Sequence, residues 1–211
     1  MSNLLLVDDH SIIRTGMKMI IGSFLPDCNF DEATDGDSAF EKIKNNDYDV
    51  IILDVNMPNT DSFRLISNIL AVKENSKILM FSMNSEEIYA KRYLKMGALG
   101  YVRKDAPESE IKKAIETVMN NKRYLSPEMN EKLLNDLHSK NEVENPFDQL
   151  SPREFEIVQH LIRGDSMLDI CNKLTLHSST VGTYKARIFE KLNCNNIIDL
   201  NTIAKLNNVT W

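Results

Sequence analysis

Over residues 1 to about 122, short apolar runs alternate with longer stretches at helical spacing, and this rhythm restricts the fold more than anything else in the chain. The runs "LLLV" (4–7), "VIIL" (50–53), "ILMF" (78–81) and "LGYV" (99–102) are apolar throughout. Such a run has no pleat face to offer water, so each predicts a strand covered on both sides, as in a parallel sheet. A weaker run, "NFDEA" (29–33), stands in second place. Between the runs, Ile12, Ile13, Met17, Ile20 and Ile21 predict an amphipathic helix, as do Ala39, Phe40 and Ile43, and Phe63, Leu65, Ile66 and Ile69. "EEIYAKRYLKMG" and "ESEIKKAIETVM" complete the set. Five strands alternating with five helices make an α/β sandwich with right-handed crossovers.

The rest of the chain has a different pattern. "LSPEMNEKLLNDLHSK" opens with Ser126 as a cap and Pro127 at the first helical position, so it reads as a connecting helix. "NEVENPFDQ" has no periodicity and holds a proline, which marks a linker. From residue 150 no strand pattern remains. "LSPREFEIVQHLIRGD" begins with a capping box, Ser151 and Glu154 with Pro152 between them, and Gly164 closes the helix. Three more helical segments follow: "SMLDICNKL", "SSTVGTYKARIFEKLN" and "NIIDLNTIAKLN". The expected divisions are an α/β domain over 1–122, a connecting helix and linker over 123–149, and a four-helix all-α domain over 150–211.

Composition narrows the function classes. The 211 residues are 42% hydrophobic and 27% charged, as in ordinary globular proteins. A net charge of −6 excludes a uniformly basic nucleic-acid binder, although a locally basic face stays open. Cys28, Cys171 and Cys194 show neither CxxC pairing nor metal-site spacing, which suits buried thiols in a reducing compartment. The first apolar run is too short for a secretory signal, and no stretch approaches a membrane span. The expected location is the cytoplasm, with no membrane contact.

The chemistry gathers at strand ends. Strand three closes on Asp54, and "LLLVDDH" places Asp8 and Asp9 just past strand one. In a flavodoxin-like doubly wound five-stranded parallel sheet of order 2-1-3-4-5, strands one and three are neighbours. The three acids then share the crevice beyond the carboxyl ends of the strands. Strand four offers the Ser82 hydroxyl, and strand five leads to Lys104. Converging carboxylates repel, and a hard divalent cation such as Mg²⁺ resolves the repulsion with oxygen ligands. A carboxylate beside that cation can act as a nucleophile toward phosphorus, with Lys104 and Ser82 stabilising the phosphoryl oxygens. An acid pair after a strand is often a plain turn. The whole set at the ends of four neighbouring strands is not.

These residues, "VDDH", "LDVNMP", "FS" and "GYVRKD", resemble the receiver domain of bacterial response regulators. The resemblance implies that Asp54 is the phosphoacceptor for a sensor histidine kinase or phosphotransfer protein. It implies that Asp8, Asp9, Asp54 and the Asn56 backbone carbonyl hold Mg²⁺. It further implies that Lys104 pairs with the phosphoryl group, while Ser82 and Tyr101 shift to report it. Two positions depart from the family: Ser62 replaces a usual glycine in "MPNTDSF", and Asp105 follows Lys104 where many receivers have proline.

The C-terminal segment resembles the LuxR-type helix-turn-helix through "LSPRE", Gly164, "TV" (180–181) and "KLN" (191–193). Together the two halves resemble a NarL/FixJ-class response regulator. "SSTVGTYKARIFEKL" would be the recognition helix. The family pattern puts base contacts on Gly182, Thr183 and Ala186, and phosphate contacts on Ser179, Thr180, Tyr184, Lys185 and Arg187 of a double-stranded DNA complex. Gly182 stands where lysine is common, so either the backbone approaches DNA closely there or the position has drifted. Met167-Leu168 replaces an Asn-Lys pair, and His177 stands at a usual serine cap, leaving Ser178 or Ser179 to cap. From Asp148 onward acids and bases number seven each, so useful affinity would need a homodimer on paired half-sites.

The expected function is a phosphorylation-controlled transcription regulator, not an enzyme beyond its own phosphoryl transfer and slow hydrolysis. Two other classes stay in play. One is a receiver-like regulator controlled by a bound partner without phosphorylation. The other is a phosphatase working through an aspartyl-phosphate, which would want an acid where Asn56 stands. A helical protein-interaction module would share the core spacing of the second domain, and the recognition-helix pattern favours DNA over it.

Overall fold

The computed structural model describes every residue except Asn59, 139–144, Thr175, Asn208, Thr210 and Trp211. It divides into two compact units, Met1–Asn135 and Asp136–Trp211.

In the first unit five strands, β1 (Ser2–Val7), β2 (Cys28–Ala33), β3 (Val50–Asp54), β4 (Ile78–Ser82) and β5 (Gly100–Arg103), alternate with five helices. The helices are α1 (Ser11–Phe24), α2 (Gly36–Asn45), α3 (Ser62–Val72), α4 (Glu86–Lys95) and α5 (Glu108–Met119). All pairings are parallel, in the order β2-β1-β3-β4-β5. The doubly wound sheet expected from the sequence is the one found. Every residue of β3 and β4 is buried, whereas β2 is an edge strand with its first five residues partly exposed. The weak second run is therefore an edge strand's polarity and not a missing strand.

Alternate residues leave the sheet on opposite sides. Leu4, Leu6, Val50, Ile52, Leu79, Phe81 and Val102 pack with Met17 and Ile21 of α1 and Ile111, Ile115 and Val118 of α5. On the other face Tyr101 stacks on Tyr93 of α4, which stacks in turn on Phe63 of α3. Each fully buried Leu, Ile or Phe side chain contributes roughly 1.5–3 kcal/mol, so the central strands anchor the sheet on which the site is built.

The helix starts follow their caps. Asp35 accepts the Ser38 amide at 2.8 Å and Asp61 accepts the Arg64 amide at 2.8 Å. Ser62 thus opens α3, and its hydroxyl meets the Tyr93 hydroxyl at 2.8 Å in the core. The next turn of chain after α5 brings Tyr124 beside Gly100, its amide donating to the Leu99 carbonyl at 2.8 Å. Helix α6 (Pro127–His138) then starts with the Ser126 hydroxyl accepting the Met129 amide at 3.1 Å. The first four residues of "NEVENPFDQ", 141–144, lie outside the described residues.

In the second unit a 3-10 turn, Pro146–Gln149, precedes α7 (Pro152–Arg163), α8 (Met167–Leu174), α9 (Ser178–Lys191) and α10 (Ile197–Leu206). The Asn145 side chain caps the turn, and Phe147 is fully buried, edge-on to Phe155 with ring centroids 6.3 Å apart. The capping box at Ser151 is complete, and Gly164 ends α7 in the left-handed region at φ 85°. One expectation fails. Ser178 and Ser179 do not cap α9, because the helix already includes them. A capping side chain must stand in extended backbone one residue earlier, and His177 holds that place without a side-chain cap bond. Among the described residues no helix is long and apolar enough to cross a membrane.

Candidate functional site

Strand register assembles the first site. β1 and β3 pair Val7 with Leu53, so the residues that follow, Asp8 and Asp54, emerge side by side. β4 and β5 pair Ser82 with Arg103, and the Lys104 amide then donates to the Ser82 carbonyl at 2.9 Å. Four neighbouring strands deliver an acid, an acid, a hydroxyl and an ammonium to one edge of the sheet.

Lys104 bridges the two acids, with Nζ 2.6 Å from Asp8 Oδ2 and 2.9 Å from Asp54 Oδ2. All three side chains are buried. The remaining oxygens are held by backbone: Asp8 Oδ1 accepts the His10 amide at 2.8 Å, and Asp54 Oδ1 accepts the Asn56 amide at 3.2 Å. Burial pushes the Asp54 carboxyl above its usual range; Lys104 opposes that shift and the Asp8 charge adds to it. For Lys104, burial works against the charge, but the Asp8 and Asp54 carboxylates outweigh it and hold the ammonium above its usual range.

Asp9 is only partly buried, yet its Oδ1 is shielded from water and has no hydrogen-bond partner. His10 Nδ1 lies 2.9 Å from it, out of hydrogen-bond alignment. One ligand atom from each of Asp8, Asp9, His10 and Asp54 lies within 4.8 Å of the others. Converging hard oxygens, one of them an orphan, fit a small oxygen-preferring cation such as Mg²⁺.

Ser82 and Tyr101 sit just behind the acids and are both fully buried. Ser82 Oγ accepts the Asn84 amide at 3.1 Å, and the Tyr101 hydroxyl donates to the Asn84 carbonyl at 3.0 Å. Burial raises the Tyr101 phenol well beyond its usual range, so it stays a neutral donor. The Asn56 side chain, mostly in solvent, donates to Asn84 Oδ1 at 3.1 Å. The structure thus gathers Asp8, Asp9, Asp54, Asn56, Ser82, Tyr101 and Lys104 around one loop cluster. Sequence reasoning assigned no role to His10 or to Arg14, whose Nη1 donates to the Asp8 carbonyl at 2.6 Å. The histidine directly after the acid pair was the available signal for the first; the second acts on a backbone atom and leaves none.

The second site is the outer face of α9. Val181 and Ile188 are fully buried and hold the helix against its own unit. Ser179, Thr183, Ala186 and Arg187 are exposed at intervals of four, three and one, so they line the opposite side. Thr180, Gly182, Tyr184 and Lys185 are half-buried along its flanks, with Lys185 Nζ 5.4 Å from the Phe189 ring centroid. A Cβ added at Gly182 would meet nothing within 4 Å, so no packing inside the protein calls for glycine. Leu168 of α8 is strongly exposed.

Two family models match the chain. The response regulator receiver domain covers residues 4–116, and the luxR family of bacterial regulatory proteins covers residues 148–204. The oxygen regulatory protein NreC of Staphylococcus carnosus is 34% identical over 197 residues, 90% of each chain. The response regulator UvrY of Escherichia coli is 29% identical over 204 residues, 97% of this chain and 94% of that one. Among solved structures, RcsB from Salmonella enterica serovar Typhimurium bound to promoter rprA with phosphomimetic BeF3⁻ shares the fold, at TM-score 0.72 and 22% identity over 97% and 99% of the two chains. With a receiver model on the acid-bearing sheet and a luxR model on the unit that carries α9, the chain belongs to the two-component response regulators of the NarL/FixJ class.

Proposed function

We propose that Asp54 accepts a phosphoryl group from a histidine kinase or phosphotransfer protein, and that the phosphorylated chain dimerises and binds promoter DNA through α9. The observation that carries this reading is the buried Asp54 carboxylate with Lys104 Nζ 2.9 Å away and Asp8 on the same ammonium. Asp54 contributes the attacking oxygen: an O–P bond forms as the P–N bond of phosphohistidine breaks, and the donor histidine leaves. The ammonium of Lys104 stays within reach of the charge that then develops on the phosphoryl oxygens. Asp8, Asp9, Asp54 and the Asn56 carbonyl would hold Mg²⁺, which supplies further charge neutralisation when bound. The Ser82 hydroxyl would turn from the Asn84 amide to the phosphoryl group, and Tyr101 would report the change. Asn56 stands two residues past Asp54 and offers no acid–base proton, which supports a switch with slow hydrolysis over a turnover phosphatase.

For DNA, the exposed Thr183 and Ala186 suit the floor of the major groove, with Gly182 beside them, while Ser179, Thr180, Tyr184, Lys185 and Arg187 suit its phosphate walls. Ile198 and Leu206 are exposed apolar residues of α10 and suit a dimer contact. Incubating the full chain with acetyl phosphate and Mg²⁺ and measuring intact mass tests the first step. A phosphoryl gain is expected in the unaltered chain and none in Asp54→Ala; equal gain in both defeats the assignment.

A further inference from the structure

Arg14 lies in the first turn of α1 and is mostly buried. Its guanidinium reaches two ways: Nη1 donates to the Asp8 carbonyl at 2.6 Å, and Nε donates to Glu32 Oε2 at 2.5 Å. Glu32 belongs to β2, paired in register with Leu6 of β1, and Lys18 binds its other oxygen. The Lys18 and Arg14 hydrogen bonds hold the Glu32 carboxyl below its usual range, so it stands as an ionised post.

Asp8 is consequently tied at every polar atom. Its amide donates to the Ala33 carbonyl at 3.1 Å, its side-chain oxygens take the His10 amide and Lys104, and its carbonyl takes Arg14. That carbonyl is one end of the Asp8–Asp9 peptide. A turn of this peptide would swing the Asp9 carboxylate, whose shielded Oδ1 no hydrogen bond holds, away from Asp54. We propose that Arg14, braced by Glu32, is a positioning residue that fixes the Asp8–Asp9 peptide so that Asp9 converges with Asp54 on a divalent cation. The inference rests on the reading of the pocket as a Mg²⁺-assisted phosphoacceptor.

Two effects of Arg14 oppose each other. As a cation it repels a second cation nearby; as a hydrogen-bond donor it prearranges the ligands. Glu32 sits directly on the guanidinium and offsets the repulsion, so positioning wins. The direction of a single substitution therefore decides the matter.

The test uses the full chain and the variants Arg14→Met, Arg14→Lys and Glu32→Gln. MgCl₂ is titrated without phosphodonor, followed by amide NMR shifts of the pocket residues, and separately against the rate of phosphoryl uptake from acetyl phosphate. Half-saturation by Mg²⁺ is expected to move up about tenfold in Arg14→Met, with smaller moves the same way in the other two. At saturating Mg²⁺ the uptake rate should return to within about twofold of the unaltered chain. An arginine that only supports the fold would lower that plateau and leave the midpoint alone. An unchanged or lower midpoint in Arg14→Met overturns the proposal. Should that variant fail to fold, unchanged midpoints in both Arg14→Lys and Glu32→Gln overturn it. A chain without substitutions that shows no Mg²⁺ response defeats the pocket reading itself, whereas a normal response there with unmoved variants defeats only Arg14.

Discussion

Asp8 and Asp54 share a single ammonium, so two buried negative charges face one positive charge. That imbalance is why burial can hold Asp54 above its usual 3.8 despite Lys104. A raised carboxyl binds its proton more readily in the folded chain than in the unfolded one. The stability it contributes is present at low pH and is lost as pH rises through the folded value. Asp54→Asn is therefore expected to raise the thermal midpoint by a few degrees at pH 7, leaving a matched Asp8–Lys104 pair. The advantage should shrink as pH falls toward 4; calorimetry that finds no gain at pH 7, or a gain that grows with acid, contradicts this. A strand run ending on an acid, repeated at neighbouring strands, made Asp8, Asp9, Asp54, Ser82 and Lys104 legible in the sequence. It was silent on Lys104 holding both acids and on Arg14 gripping a carbonyl, because both depend on the path of a loop and not on residue spacing.

Helix α9 places a glycine in mid-helix on the flank of its exposed face, with ordinary helical backbone and open space around it. A mid-helix glycine costs about 1 kcal/mol against alanine, and here nothing within the protein recovers that cost. Gly182→Ala should stabilise the chain by about 1 kcal/mol in denaturant unfolding, while its affinity for a selected DNA site falls several-fold. Gain in stability with unchanged affinity would mean that the backbone does not approach DNA closely at this position. Asp35, Asp61, Ser126 and Ser151 start their helices with their own side chains, whereas α1, α4 and α5 begin at His10, Ser85 and Pro107 without a side-chain cap bond. At α9 the rule misled: two serines stood ready, but burial of Val181 sets where the helix begins and leaves the cap position to His177. Phe147 was hidden in a segment without periodicity, since a single buried aromatic in a 3-10 turn makes no repeating pattern.

The two units are a receiver domain with an acid-lined sheet edge and a luxR-family domain that carries α9. From Asp148 onward the charges cancel at seven each, so a lone copy has little electrostatic hold on phosphates. On the proposed reading, pairing of two copies would supply what one lacks, and a phosphoryl group on Asp54 would bias the chain toward that pair. The alternating runs made the α/β half plain in the sequence, and the capped helices did the same for the all-α half. The link proposed between them, a shift in population on phosphorylation, has no signature in spacing. The most direct test is to select DNA sites from a random pool, then measure affinity and assembly state on the best site, with and without acetyl phosphate and Mg²⁺. Phosphorylation is expected to tighten binding about tenfold or more with two copies per site, and Asp54→Ala to give no response. Equal affinity and assembly state with Asp54 fully phosphorylated and unphosphorylated would contradict the account and favour control by a bound partner.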